Sequence, residues 1–137
     1  MVNFGSSDYT SPFLANDLKF LNSFAEQDYV NMVIGNISTL IEEIINIGGS
    51  TFVITNVGHL GCLPGLRRSK NAKKNEQGCF KKVSDLSKMH NDALGQWLSN
   101  FTSTNRANIL LYDFASDISK MTEHPRDYGT YVHTLMK

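Results

Sequence analysis

The stretch IEEIINIGGSTFVITNVG, residues 41–58, changes its hydrophobic period within a few positions. Up to Ile47 the apolar residues recur at three- and four-residue steps. From about Gln27, Val30, Val33, Ile34, Ile37, Leu40, Ile41, Ile44 and Ile45 form one stripe, while Glu42, Glu43 and Asn46 fall off it. Gly48-Gly49 closes this helix, because a helix end favours a residue that accepts the left-handed conformation. Thr51–Val57 is short and rich in β-branched and aromatic residues, which predicts a buried strand ended by Gly58.

The same alternation continues on both sides. Downstream, a loop from His59 to Gly78 leads to a helix over Phe80 to about Phe101, with Val83, Leu86, Met89, His90, Ala93, Leu94 and Trp97 on one face. Asn108–Phe114 reads as another buried strand, and Asp117–Met121 as a last helical segment that Pro125 terminates. Upstream, Val2–Phe4 reads as the tail of a strand broken by Gly5. Ser6, Ser7 and Asp8 then form a polar loop, and Tyr9 to Asn22, with Pro12, is irregular. Strand, helix, strand, helix, strand, helix predicts a parallel sheet in a doubly wound α/β layer, one domain or part of one. Polar turns at the ends of such strands are where α/β enzymes place reactive groups.

Composition excludes several classes. The 137 residues carry a formal net charge of zero, so bulk electrostatics gives no reason to expect nucleic acid or an anionic membrane. No stretch approaches the ~20 apolar residues of a membrane span, and the N-terminus lacks the basic and apolar regions of a signal peptide. Cys62 and Cys79 have no second pair beside them, so a zinc site is not expected; from spacing alone, a disulfide and two free thiols both stay open. Asn36-Ile37-Ser38 and Asn100-Phe101-Thr102 are sequons usable in a secretory compartment. His90, on the apolar face of its helix, reads as a core histidine and His59 as an exposed loop residue. Arg67, Arg68, Lys70, Lys73 and Lys74 read as a solvated basic loop. The helix stripes are core, and neither a cofactor nor a metal is expected.

Four blocks carry a family resemblance: GSSDYT from Gly5, NVGHLGCLP from Asn56, GCFKKVSDLSKMHNDAL from Gly78, and YDFASDIS with HPRDYG from Tyr112 onward. Together they resemble the plant GDSL-type esterase/lipases of the SGNH hydrolase superfamily over nearly the whole chain. The resemblance implies a flavodoxin-like three-layer α/β/α sandwich with parallel strand order 2-1-3-4-5, present only in part as strands three to five. It also implies a secreted serine esterase acting on acyl or lipid esters through an acyl-enzyme. In that family the nucleophile belongs to a Gly-Asp-Ser block, and the Asp and His to an Asp-x-x-His block. The oxyanion is held partly by an Asn in a Gly-x-Asn-Asp loop.

Gly5, Ser6, Ser7 and Asp8 correspond to that oxyanion loop, with Ser7 where the family has Asn; His59 replaces a loop proline. No Gly-Asp-Ser and no Gly-x-Ser-x-Gly occurs in the sequence. The residues three before His59, His90, His124 and His133 are Asn56, Ser87, Met121 and Thr130, so no Asp-x-x-His occurs either. The expectation is a partial hydrolase domain over residues 1–137, from the oxyanion loop to before the Asp-x-x-His block, with no catalytic residue of its own. The alternatives are a non-catalytic relative used for binding and a truncated product. The resemblance also sets Cys62 and Cys79 at the ends of one surface loop, within bridging reach. Val2–Phe4, Thr51–Val57 and Asn108–Phe114 should pair in parallel, with the first strand an open edge prone to self-association.

Overall fold

The computed structural model describes residues 1–15, 17, 23–69, 72–102 and 107–129. Strand β1 (Val2–Asn3) leads into helix α1 (Ser6–Leu14), and helix α2 (Glu26–Asn46) precedes strand β2 (Thr51–Thr55). A 3-10 turn (Leu60–Cys62), the short helix α3 (Pro64–Arg67) and helix α4 (Lys81–Thr102) follow. Strand β3 (Asn108–Tyr112), helix α5 (Phe114–Glu123) and a 3-10 turn (Pro125–Tyr128) complete the order.

The three strands pair in parallel in the order β1-β2-β3, with Val2 opposite Ile54 and Phe52 opposite Ile109. The expected pairing is present, and β1 is an edge among the described residues. Sheet and helices together make the partial α/β fold expected. Right-handed crossovers stepping twice in the same direction put both connecting helices on one face. There α2 and α4 meet, and the Trp97 indole N–H donates to Ser38 Oγ at 3.0 Å. Phe52 and Ile54 point into that helical layer and are buried. The core joins them to Val30, Val33, Ile37 and Ile41 of α2 and to Val83, Leu86, Leu94 and Leu98 of α4.

The end of α2 explains why its reading succeeds. Gly48 N–H bonds to Ile45 O and Gly49 N–H to Ile44 O, each at 2.9 Å, the paired bonds of a Schellman motif. Gly48 sits at φ 105°, and a Cβ on Gly49 would lie 2.7 Å from Ile44 Cγ2. Both positions therefore require glycine, for different reasons.

Three expectations need correction. Ser6–Asp8 is not a loop and the segment from Tyr9 is not irregular through Leu14, because both belong to α1; residues 16 and 18–22 lie outside the described residues. Pro12 stands inside α1, where its missing N–H leaves the Asp8 carbonyl without its helical donor. The Tyr29 hydroxyl donates to that carbonyl at 2.7 Å instead. Strand β3 ends at Tyr112, and it is not buried: Leu110 is 63% exposed and Tyr112 41%. The long loop also holds more structure than expected, since Lys74 bridges Phe80 in antiparallel fashion and α3 lies within it.

Cys62 and Cys79 form a disulfide with Cα atoms 4.5 Å apart. It closes the loop where Asn75 Oδ1 accepts from the Gln77 and Cys79 N–H groups. Two of the basic side chains fasten this loop. Arg67 Nη2 donates to Gln77 O, and Lys74 Nζ donates to Leu66 O at 3.0 Å while lying over the Phe80 ring. Lys70 is outside the described residues.

Candidate active-site turn

Parallel strands point their carboxyl ends the same way, and the turns leaving them form the usual ligand edge of an α/β sheet. Here those turns are Phe4–Gly5 after β1, Asn56–Gly58 after β2 and Asp113 after β3. The first is the sharpest. Gly5 has φ 99°, and a Cβ there would lie 2.7 Å from His90 Cε1. Only glycine fits, by conformation and by space alike.

From Gly5 the chain enters α1 at once. The N–H groups of the first turn have no helical acceptor, and no side chain caps this helix. Backbone donors at the positive end of a helix can hold a developing oxyanion. Ser7 and Asp8 lie in that first turn with their side chains exposed. The Ser7 hydroxyl is short and rotates freely, so it supplies no fixed second donor.

Beneath the turn, helices α1 and α4 are joined by a buried polar pair. The Tyr9 hydroxyl lies 2.9 Å from His90 Nδ1, both residues are 0% exposed, and their rings meet edge to face. Tyr29 packs edge-on against Tyr9 from α2. Burial pulls the His90 imidazole down to about 4. Burial, then the nearby Asp8 charge and Tyr29, push the Tyr9 hydroxyl up. Both are neutral at pH 7. Among the described residues His90 Nε2 has no hydrogen-bond partner. His90 is the core histidine its helical position predicts, closed off from solvent.

The other two turns are braced by groups that periodicity does not reveal. Asn91, beside His90, clamps one peptide after β2: its Nδ2 donates to Val57 O and its Oδ1 accepts from Val57 N–H, each at 2.9 Å. The Asn56 side chain is buried, donates to Asp113 Oδ1 at 2.8 Å and accepts from Ala115 N–H at 2.9 Å. Asp113 caps α5 through Ser116 N–H, and the bonds from Asn56 and Ser116 hold its carboxyl below the usual range. The only advance signal was an amide at the end of a β-rich run. His59, exposed as expected, places Nε2 2.6 Å from Ser119 Oγ.

The remaining candidates are dispersed. Asn36 is exposed on α2, while the Ser38 hydroxyl of its sequon is engaged by Trp97 and donates to Glu42. Asn100 is exposed on the last turns of α4, and His133 lies outside the described residues. Among the described residues no three His, Cys, Asp or Glu side chains gather as metal ligands, and no helix is long and apolar enough to cross a membrane.

A family model described as GDSL-like lipase/acylhydrolase matches residues 1–134. Relatives include GDSL esterase/lipase 5 of Arabidopsis thaliana, 35% identical over 94% of this chain and 32% of that protein. GDSL esterase/lipase 3 of the same plant is 33% identical over 94% of this chain and 35% of its own length. A GDSL lipase of Tanacetum cinerariifolium is 29% identical over 91% of this chain and 31% of its own. The chain thus spans about a third of the length of these relatives. No solved structure matches it.

Proposed function

The chain belongs to the GDSL-like lipase/acylhydrolase family, and on that premise we propose that it forms the oxyanion side of a serine-dependent carboxylic-ester hydrolase. The Gly5 turn carries the reading: a glycine-only bend at a strand's carboxyl end opens a helix whose first N–H groups are uncapped. Acyl transfer further needs a nucleophile, a base and an orienting acid in mutual contact. The 137 residues hold neither a Gly-Asp-Ser nor an Asp-x-x-His block. By themselves they are therefore inactive, and they act when one polypeptide joins them to both blocks. The substrates are acyl or lipid esters. The disulfide and the two sequons suit a glycoprotein of an oxidising compartment, and the open sheet edge favours self-association. Ser7 supports a second reading, a relative retained for binding alone, because it removes a donor whose loss typically costs about 100- to 1000-fold in rate.

Four proteins test this: the 137-residue chain, and the same segment joined to the two blocks of a relative, each with Ser7 or Ser7→Asn. Neither short protein should hydrolyse an activated short-chain ester above a denatured control. In the joined pair, Ser7→Asn should raise kcat by about 100-fold. Turnover by the short chain that a serine-directed phosphonate blocks overturns the proposal, and a joined protein inactive with either residue favours the binding reading.

A further inference from the structure

The net charge of zero hides a segregation of charge. Residues 1–66 carry six carboxylates against one cation, Lys19. Residues 67–82 carry seven of the chain's 13 basic side chains against one carboxylate, Glu76. The fold gathers these cations on the loop that the disulfide closes. Lys81 N–H donates to Lys73 O at 2.9 Å and Lys74 bridges Phe80, so two basic runs lie side by side. Arg67 reaches across to Gln77 O, and Arg68 follows it at the end of α3. Lys81 and Lys82 are paired with Asp85 and Glu26. Arg68 and Lys73 are exposed and make no ion pair among the described residues. Apolar side chains border the same loop. Leu14 is 58% exposed and lies against α3, its Cδ2 3.1 Å from where a Cβ on Gly65 would stand. Leu63, at the start of α3, is 42% exposed, and Pro64 beside it is exposed.

We propose that this disulfide-closed loop docks the protein on an anionic lipid bilayer, its cations at the headgroups and Leu14 and Leu63 in the interfacial layer. Cations clustered beside exposed leucines suit such a surface, because attraction to anionic headgroups adds to the burial of apolar area. A soluble polyanion would answer the charge and leave the leucines in water. A single-stranded nucleic acid would need aromatic platforms for its bases, and the ring in this segment, Phe80, is partly buried beneath Lys74. The disulfide and the Asn75 turn order the loop beforehand, so docking loses little conformational freedom. The proposal concerns a charged surface rather than an ester, and it stands apart from the hydrolase reading.

The test mixes the 137-residue chain with phosphatidylcholine vesicles, either pure or with about one-third phosphatidylserine. Flotation of the vesicles reads the bound fraction and leaves self-associated protein behind. The chain should float with the anionic vesicles and not with the pure ones. Raising ionic strength from about 0.1 M to about 1 M shortens the Debye length from about 10 Å to about 3 Å and should release most of it. Arg68→Gln with Lys73→Gln should weaken partitioning by about 25-fold, roughly fivefold for each cation. Leu63→Ser should weaken it by about fivefold. None of these changes removes a side-chain hydrogen bond among the described residues, so urea midpoints should match the native chain. Arg68→Lys with Lys73→Arg keeps the charge and should bind as the native chain does, which separates charge from folding. Equal binding to pure and anionic vesicles, or full binding by the double glutamine variant, overturns the proposal. So does release by polyglutamate at matched charge together with unchanged binding of Leu63→Ser, which would assign the loop to soluble polyanions.

Discussion

His90 shows how much one residue's surroundings decide. Its place on an apolar helix face identifies it as core, and the structure places it there. Its partner is 81 residues away, and nothing in local sequence announces that Tyr9 will meet it. The same limit hid Asn56 and Asn91, whose roles exist only once β2, α4 and α5 are assembled. The buried imidazole carries a testable cost in acid. The unfolded chain takes up its proton near pH 6.5, the folded one only at about 4. Protons thus favour the unfolded state across that interval, so stability is full above 6.5 and falls as pH drops toward 4, by roughly 3 kcal/mol. Asp113 and Asp117, both lowered by hydrogen bonds, add their own losses below the ordinary carboxylate range. Urea midpoints between pH 7 and 4 should therefore decline in the native chain and run nearly flat in His90→Gln. A flat native profile would rule out a depressed histidine.

Among the elements, those with a strong internal period were legible and those held by distant contacts were not. Helix α2, strand β2 and helix α4 each carry an unbroken apolar pattern, and the paired glycines fix one boundary. Helix α1 has none of this. Its sequence, Ser-Ser-Asp-Tyr-Thr-Ser-Pro-Phe-Leu, is polar and contains a proline, and its fixings lie elsewhere. Tyr9 reaches His90, Tyr29 relieves the Pro12 defect, and Phe13 stacks edge-on against Phe80 at 5.1 Å between ring centres. Strand β3 failed in the opposite direction: Asn-Ile-Leu-Leu-Tyr has a buried strand's composition, yet among the described residues it lies at the sheet's other edge. The disulfide ties the loop after β2 to the start of α4. With a sequence separation of 17, its removal by Cys62→Ser with Cys79→Ser should lower stability by about 3 kcal/mol. Chemical denaturation of the double variant against the oxidised chain measures it, and a loss below about 1 kcal/mol would show that Asn75 and Lys74 hold the loop unaided.

At the scale of the molecule, sheet order was legible because a family resemblance supplied register that periodicity lacks. The face that α2 and α4 share was not, since alternation of helices and strands does not say on which face each crossover falls. That arrangement governs solution behaviour. Among the described residues the face opposite α2 and α4 presents Leu110 and Tyr112 beside Val53, and β3 carries no charged residue or proline to discourage pairing. Both edges of the sheet lack a further strand among the described residues. Exposed edges without such gatekeepers recruit other chains, and an apolar sheet face adds a driving force proportional to the area it buries. The chain should therefore self-associate reversibly, its weight-average mass rising with concentration in sedimentation equilibrium. Leu110→Lys puts a charge at the centre of that face where 63% of the residue is already exposed, so folding should be spared. Association should weaken by at least about tenfold, since burying the lysine would demand desolvation of an unpaired charge. A native chain that stays a monodisperse monomer near millimolar concentration, with cooperative unfolding, would show that the bare face and edges are tolerated as they stand. Equal association of Leu110→Lys would place the contact elsewhere, with the two-residue β1 edge next in line because its outer backbone groups face no further strand among the described residues.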